Sequence, residues 1–153
     1  MPSNLTPALV RRVRLALAEA GAITPENLGP EDAVALLVRT AMAPGAAPKL
    51  VKLAVRASLA LLADRAPGNS LEVRVPPFGA VQAIEGPRHT RGTPPGVVET
   101  SPAVWLRLAT GGTAWGQAIA DGEVQASGTR SDLSEHLPLW PRVVPPSSPG
   151  TKL

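Results

Sequence analysis

A chain of 153 residues with no cysteine can build one domain with an extension, but no disulfide, Cys-ligated zinc, iron–sulfur cluster or thiol nucleophile. Tyrosine is absent and aromatic residues make up 3%, which argues against modules that stack nucleic-acid bases on aromatic platforms. The formal net charge is only +3, and the sequence pI of about 10.2 follows from the scarcity of groups that titrate in the alkaline range.

In chain order, the opening residues lack the basic region, apolar run and small-residue cleavage site of an export signal. Arg or Lys interrupts every long apolar stretch. No transmembrane segment is therefore expected, and a cytoplasmic location is. Thr6-Pro7 reads as an N-cap with proline at the first helical position, starting a helix that presents Leu9, Val13, Leu17 and Ala20 on one face and stops at Gly21. A second helix runs from Gly29-Pro30 through Val34, Leu37, Val38 and Ala41 to Pro44-Gly45. A third opens at Pro48 and ends at Pro67-Gly68. It is apolar around most of its circumference, with Lys49, Lys52 and Arg56 as its charged stripe, which predicts cover on more than one side.

After Gly68 the period changes from helical to alternating. Leu71, Val73 and Val75 alternate with Glu72 and Arg74 up to Pro76-Pro77, and residues 78–84 read as the hairpin partner. A loop from Gly86-Pro87 to Pro94-Pro95-Gly96 carries Arg88, His89 and Arg91, and residues 97–100 form a short strand. Ser101-Pro102 caps a helix holding Val104, Trp105 and Leu108, closed by Gly111-Gly112. Thr113 caps another with Trp115, Ala118 and Ile119, closed by Gly122. Residues 123–127 read as a strand with Val124 and Ala126 inward, and 131–137 as a last short helix. From Pro138 onward the proline density predicts an extended or disordered tail, except around Trp140. The order predicts an α+β fold with a mixed β-sheet covered by helices. Residues 1–47 would be an N-terminal helical extension, 48–139 the main domain and 140–153 a Pro-rich tail.

Catalytic motifs are scarce. There is no G-x-S-x-G elbow and no phosphate loop, and Gly111-Gly112 with Gly116 does not match a dinucleotide fingerprint. His89 and His136 are the only histidines and have no carboxylate at a metal-ligand spacing, so no metal, cofactor or catalytic residue is expected. Residues 1–70 carry eight basic and five acidic groups, whereas residues 71–137 carry five and seven. The main body is thus a poor surface for a phosphate backbone, and no nucleic-acid partner is expected. The densest polar cluster runs from Glu85 to Thr93. Arg88, His89 and Arg91 could clamp an anionic head group there, or Glu85 and Glu99 could neutralise the two arginines across a long hairpin. Trp105 and Trp115 fit either a core or the lining of an apolar pocket, and Trp140 fits a pocket closure or an anchor for the tail.

These residues resemble a family. Trp105-Leu-Arg-Leu-Ala-Thr-Gly111, Trp115-Gly-Gln-Ala-Ile-Ala-Asp-Gly122, Glu123-Val-Gln-Ala-Ser-Gly128 and Asp132-Leu133 resemble the C-terminal half of the sterol carrier protein fold. Val73-Arg-Val-Pro-Pro-Phe-Gly-Ala-Val-Gln82, the stretch from Ile84 to Pro95, and Val97-Val-Glu-Thr100 resemble its bacterial branch. The likeness covers roughly residues 48–139. Thr129 and Gly96 depart from that pattern, and the closing helix is short beside the C-terminal lid of lipid-transfer members.

The resemblance implies a cavity between sheet and helices that holds a lipid or fatty acyl chain, lined by Leu71, Val73, Val81, Trp105, Leu108, Trp115, Ile119 and Leu133. An unfilled cavity costs about 24 cal/mol per Å³, so roughly 200 Å³ would cost about 5 kcal/mol, and either a ligand or collapsing side chains must fill it. Related domains are fused to metal-dependent thiol-using isomerases, but the helices between Pro7 and Ala66 contain no histidine for that chemistry. The expectation is a non-enzymatic binding module. The alternative is a protein-interaction module with a collapsed cavity, acting through the Arg88–Arg91 loop, the N-terminal helices or the tail.

Overall fold

Helix starts and stops follow the local chemistry of the chain. The computed structural model describes residues 2–86, 96–128 and 131–140. Helix α1 (Pro7–Glu19) begins where the Thr6 hydroxyl accepts the Leu9 N–H at 3.1 Å. Helix α2 (Pro30–Ala41) carries Glu31 and Asp32 in its first turn and Arg39 in its last, each complementing the helix dipole. Helix α3 (Pro48–Arg65) is buried continuously from Leu53 to Ala63 except at Arg56, and packs against α1, α2 and the sheet. This is the many-sided cover that its apolar circumference predicted.

Strands β1 (Leu71–Val75), β2 (Gly79–Ala83), β3 (Gly96–Thr100) and β4 (Val124–Ser127) form one mixed sheet in the order β2-β1-β3-β4. β1 pairs antiparallel with β2 and parallel with β3, so Leu71 lies between Ala83 and Gly96. β3 pairs antiparallel with β4. Leu71, Val73, Val75 and Val98 are buried on the inner face, whereas Glu72 and Arg74 pair on the other. Between β3 and β4 lie α4 (Pro102–Thr110), capped by the Ser101 hydroxyl and ended by Gly111 at φ 80°, and the short α5 (Trp115–Ala120). The fold is α+β, with five helices and a four-stranded mixed sheet among the described residues.

Four local expectations are corrected. β2 is shorter than residues 78–84 because the Phe78 N–H closes the turn onto the Val75 carbonyl at 2.9 Å and Ile84 leaves the strand at φ 67°. α5 starts one residue later than a Thr113 cap would place it, with Ala114 at the N-cap and no side-chain cap bond. Ala126 is exposed although it pairs with buried Val98, because β4 is an edge strand and only its Val124 end is covered. Residues 131–137 make one turn and no helix. Asp132 accepts the Ser134 N–H, the Leu133 carbonyl accepts the N–H groups of His136 and Leu137, and Pro138 has no donor to continue.

One buried cluster joins Val13 and Leu17 of α1, Val34, Leu37 and Val38 of α2, the inner face of the sheet, and Leu139 with Trp140. At its centre Trp105 is fully buried, and its indole N–H donates to Ser58 Oγ at 2.8 Å. The Ser58 hydroxyl in turn donates to the Ala54 carbonyl at 2.6 Å, so this buried polar pair is satisfied.

Candidate functional site

Helix α5 is loosely embedded in the fold. Ala118 is its only buried residue, Trp115 is half-buried, and Ile119, one turn later on the same face, is 40% exposed. The turn from Gly111 to Ala114 sets α5 away from the end of α4, and the segment 134–138 closes the other side. The result is a cleft of about 400 Å³ bordered by Leu108, Thr113, Trp115, Ser134, Leu137 and Pro138. Its walls are mainly apolar, with the Thr113 and Ser134 side chains as polar points. Beside it, hydrogen bonds from the backbone and hydroxyl of Ser134, with a smaller contribution from His136, hold the Asp132 carboxyl below the usual carboxylate range.

Among the described residues, the eight expected to line a cavity are divided between the packed cluster, the α5 cleft and the surface. Leu71, Val73, Trp105, Leu108 and Leu133 are at most 1% exposed and belong to the packed cluster. Val81 packs half-buried against that cluster. Leu108 and Trp115 border the cleft; Ile119 faces solvent on α5. Of the motif loop, Glu85 is exposed, while Arg88, His89 and Arg91 lie outside the described residues. Glu99 lies opposite Arg74 in the β1–β3 register. The Glu72 hydrogen bond, and then the charges of Glu72 and Glu99, raise the Arg74 pKa.

Sequence reasoning missed Leu137 and Pro138 as cleft walls, because Pro138 was legible as a stop and not as a surface. Two long-range clamps were also missed. The Asp64 carboxylate accepts from Ser3 Oγ, from the N–H of Asn4 at 2.6 Å and of Leu5 at 3.1 Å, and from Asn4 Nδ2 at 3.0 Å. Arg65 pairs with Glu31 at 3.2 Å and donates to the Leu139 carbonyl, whose own N–H donates to Ala109 at 2.9 Å. A second cleft, about 380 Å³, lies between α1 and the start of α3, and a third, about 530 Å³, lies beside the Asp64 clamp.

Among the described residues no three His, Asp or Glu side chains converge as a metal site, and no helix is long and apolar enough to cross a membrane. No curated protein matches the chain. Residues 48–139, from the first residue of α3 to Leu139 at the end of the cleft-closing segment, match the family model described as bacterial SCP ortholog, and the chain belongs to this family of bacterial sterol carrier protein orthologues.

Proposed function

We propose that the protein is a non-enzymatic carrier module that holds a lipid, a fatty acyl chain or another apolar small molecule, with the cleft between Leu108, Trp115 and Leu137 as the place where the cargo enters and rests. The observation that carries this reading is the half-buried Trp115 on a mainly apolar cleft of about 400 Å³, in a chain of the sterol carrier family. A cargo chain laid there would cover Trp115 and meet Thr113 and Ser134 with its polar end. A loop carrying Arg88, His89 and Arg91 would suit an anionic head group. The test pairs native mass spectrometry of the purified protein with titration by a fluorescent fatty acid. Saturable 1:1 binding that Trp115→Arg abolishes supports carriage. A bare chain that ignores the fluorescent fatty acid overturns it.

The full burial of Leu71, Val73, Trp105 and Leu133 favours a second reading, in which the family's inner cavity has collapsed and the chain acts as a protein-interaction module. Absence of any bound lipid, together with unchanged packing of Trp105 on adding fatty acid, would select it.

A further inference from the structure

The cleft between α1 and α3 has a chemistry unlike the rest of the surface. Its floor is apolar, made by Ala16 and Leu50, both partly exposed, and by buried Leu53. Leu15 borders it at 60% exposure, although it is a large aliphatic side chain. Arg12 stands on the α1 side and Lys49 on the α3 side, and Lys52 follows Lys49 one turn along α3. Glu19 is the acidic residue at its border.

Two observations mark these charges as unmatched. Arg65 pairs with Glu31, Arg74 with Glu72 and Arg107 with Glu123, whereas the exposed Arg11, Arg14 and Arg39 of α1 and α2 form no ion pair among the described residues. Among the described residues, Arg12, Lys49 and Lys52 form no ion pair. The charges also oppose their own helices. Lys49 lies in the first turn of α3, which has no acidic residue and no side-chain cap, and Glu19 is the last residue of α1, which has no basic residue in its last turn. Each such placement works against the helix dipole, and an acidic neighbour beside Lys49 would reverse the sign of that effect. Local electrostatics that disagree with the fold are a mark of a surface shaped for something else.

We infer that this groove docks an amphipathic helix of a partner protein, laying leucine-type side chains on Ala16, Leu50 and Leu53 and acidic side chains against Arg12 and Lys49. The site is separate from the cleft at Trp115 and does not depend on cargo binding. Shape selects a helix over a lipid surface. The space is a concavity between two helices, which accepts a ridge of side chains, whereas a bilayer presents no ridge to enter it. Charge weighs against a second copy of this chain: two facing grooves would bring together four cations, Arg12 and Lys49 of each copy, and only two carboxylates, Glu19 of each. The stretch from Arg12 to Ala20 spans roughly 12 Å, so about two turns of partner helix would be engaged.

The test uses the full-length chain and a fluorescein-labelled synthetic helix of about four turns, with leucines at i, i+3, i+4 and i+7 and glutamates on both flanks. A control peptide replaces each glutamate by lysine. Anisotropy should show the glutamate peptide binding at least about tenfold more tightly, with the preference shrinking as NaCl rises. Arg12→Glu combined with Lys49→Glu should remove that preference. Ala16→Gln, which fills the floor without changing charge, should weaken binding, while Arg14→Glu, on α1 but outside the groove, should leave it unchanged. Circular dichroism melts check that each variant folds, and the charge variants keep the test intact if Ala16→Gln does not. Equal binding of the two peptides overturns the proposal. So does an Arg14→Glu effect as large as the groove pair's. So does binding of phosphatidylglycerol vesicles with no binding of either peptide, or self-association that Ala16→Gln abolishes.

Discussion

Gly68 and Ile84 meet where the chain leaves β2. Gly68 adopts φ 146°, and a Cβ there would lie 2.2 Å from the carbonyl carbon and oxygen of Ile84. Ile84 is itself β-branched at φ 67°, a conformation of cost about 1–2 kcal/mol. It is held by its N–H to the Ala66 carbonyl at 2.7 Å, and by its own carbonyl accepting from Ser70 N and Ser70 Oγ. Gly68→Ala must displace backbone, so we expect a loss of about 3 kcal/mol or more in denaturant unfolding. A loss below about 1 kcal/mol would contradict this close approach. In the core, Ser58→Ala leaves the buried Trp105 N–H without its acceptor and should cost about 1–3 kcal/mol. Added to Trp105→Phe, it should cost clearly less than it does alone, because the orphaned donor has gone. At Asp64, burial pushes the carboxyl up, but the hydrogen bonds from Ser3, Asn4 and Leu5 outweigh it and hold it below the usual carboxylate range. Its stabilisation is therefore present above the unfolded value and is lost as pH falls through the lower folded value. The amide NMR shifts of Asn4 and Leu5 should titrate with a midpoint below that of an unperturbed aspartate, and in Asp64→Asn that titration should be absent.

At the scale of elements, the parts legible in the sequence were those decided by short-range chemistry. Thr6-Pro7 and Ser101-Pro102 mark helix starts, Gly111 marks an end, and the alternation from Leu71 to Val75 sets the two faces of β1. The misread parts depend on contacts distant in sequence. Nothing within residues 134–140 announces that Leu139 will be tied to Arg65 and Ala109, since those partners come from α3 and α4, whereas Trp140 stood out as an anchor for the tail and is buried. Ala126 looked inward by periodicity, but a sheet edge without cover keeps it exposed. The candidate site was half legible for the same reason. Trp115 and Leu108 were named as lining residues through the family resemblance, whereas Leu137 borders the cleft only through the tertiary turn. Because Trp140 anchors that segment, Trp140→Ala should destabilise the protein by about 3 kcal/mol, read as a lower midpoint in guanidinium. An unchanged midpoint would show that the segment is not held by its indole.

At the scale of the whole molecule, the family match begins at Pro48, but the core does not. Val13, Leu17, Val34, Leu37 and Val38 share one cluster with the inner face of the sheet, and α3 lies between them and it. A chain starting at Pro48 should thus expose the α1- and α2-facing sides of α3 and lose cooperative unfolding; a sharp two-state transition in that fragment would contradict this. The same packing explains the outcome for the expected cavity. Trp105 and the leucines pack the layer between sheet and helices, and an apolar cleft lies at α5, where a tryptophan stays half in solvent.

The most direct test of carriage at that cleft is a two-dimensional amide and indole NMR titration with palmitate. The account predicts saturable shifts centred on Leu108, Gly111, the Trp115 indole and Leu137, with the Trp105 indole unmoved in its bond to Ser58. No saturable shifts, or shifts centred on Trp105 and the inner sheet face, would contradict it.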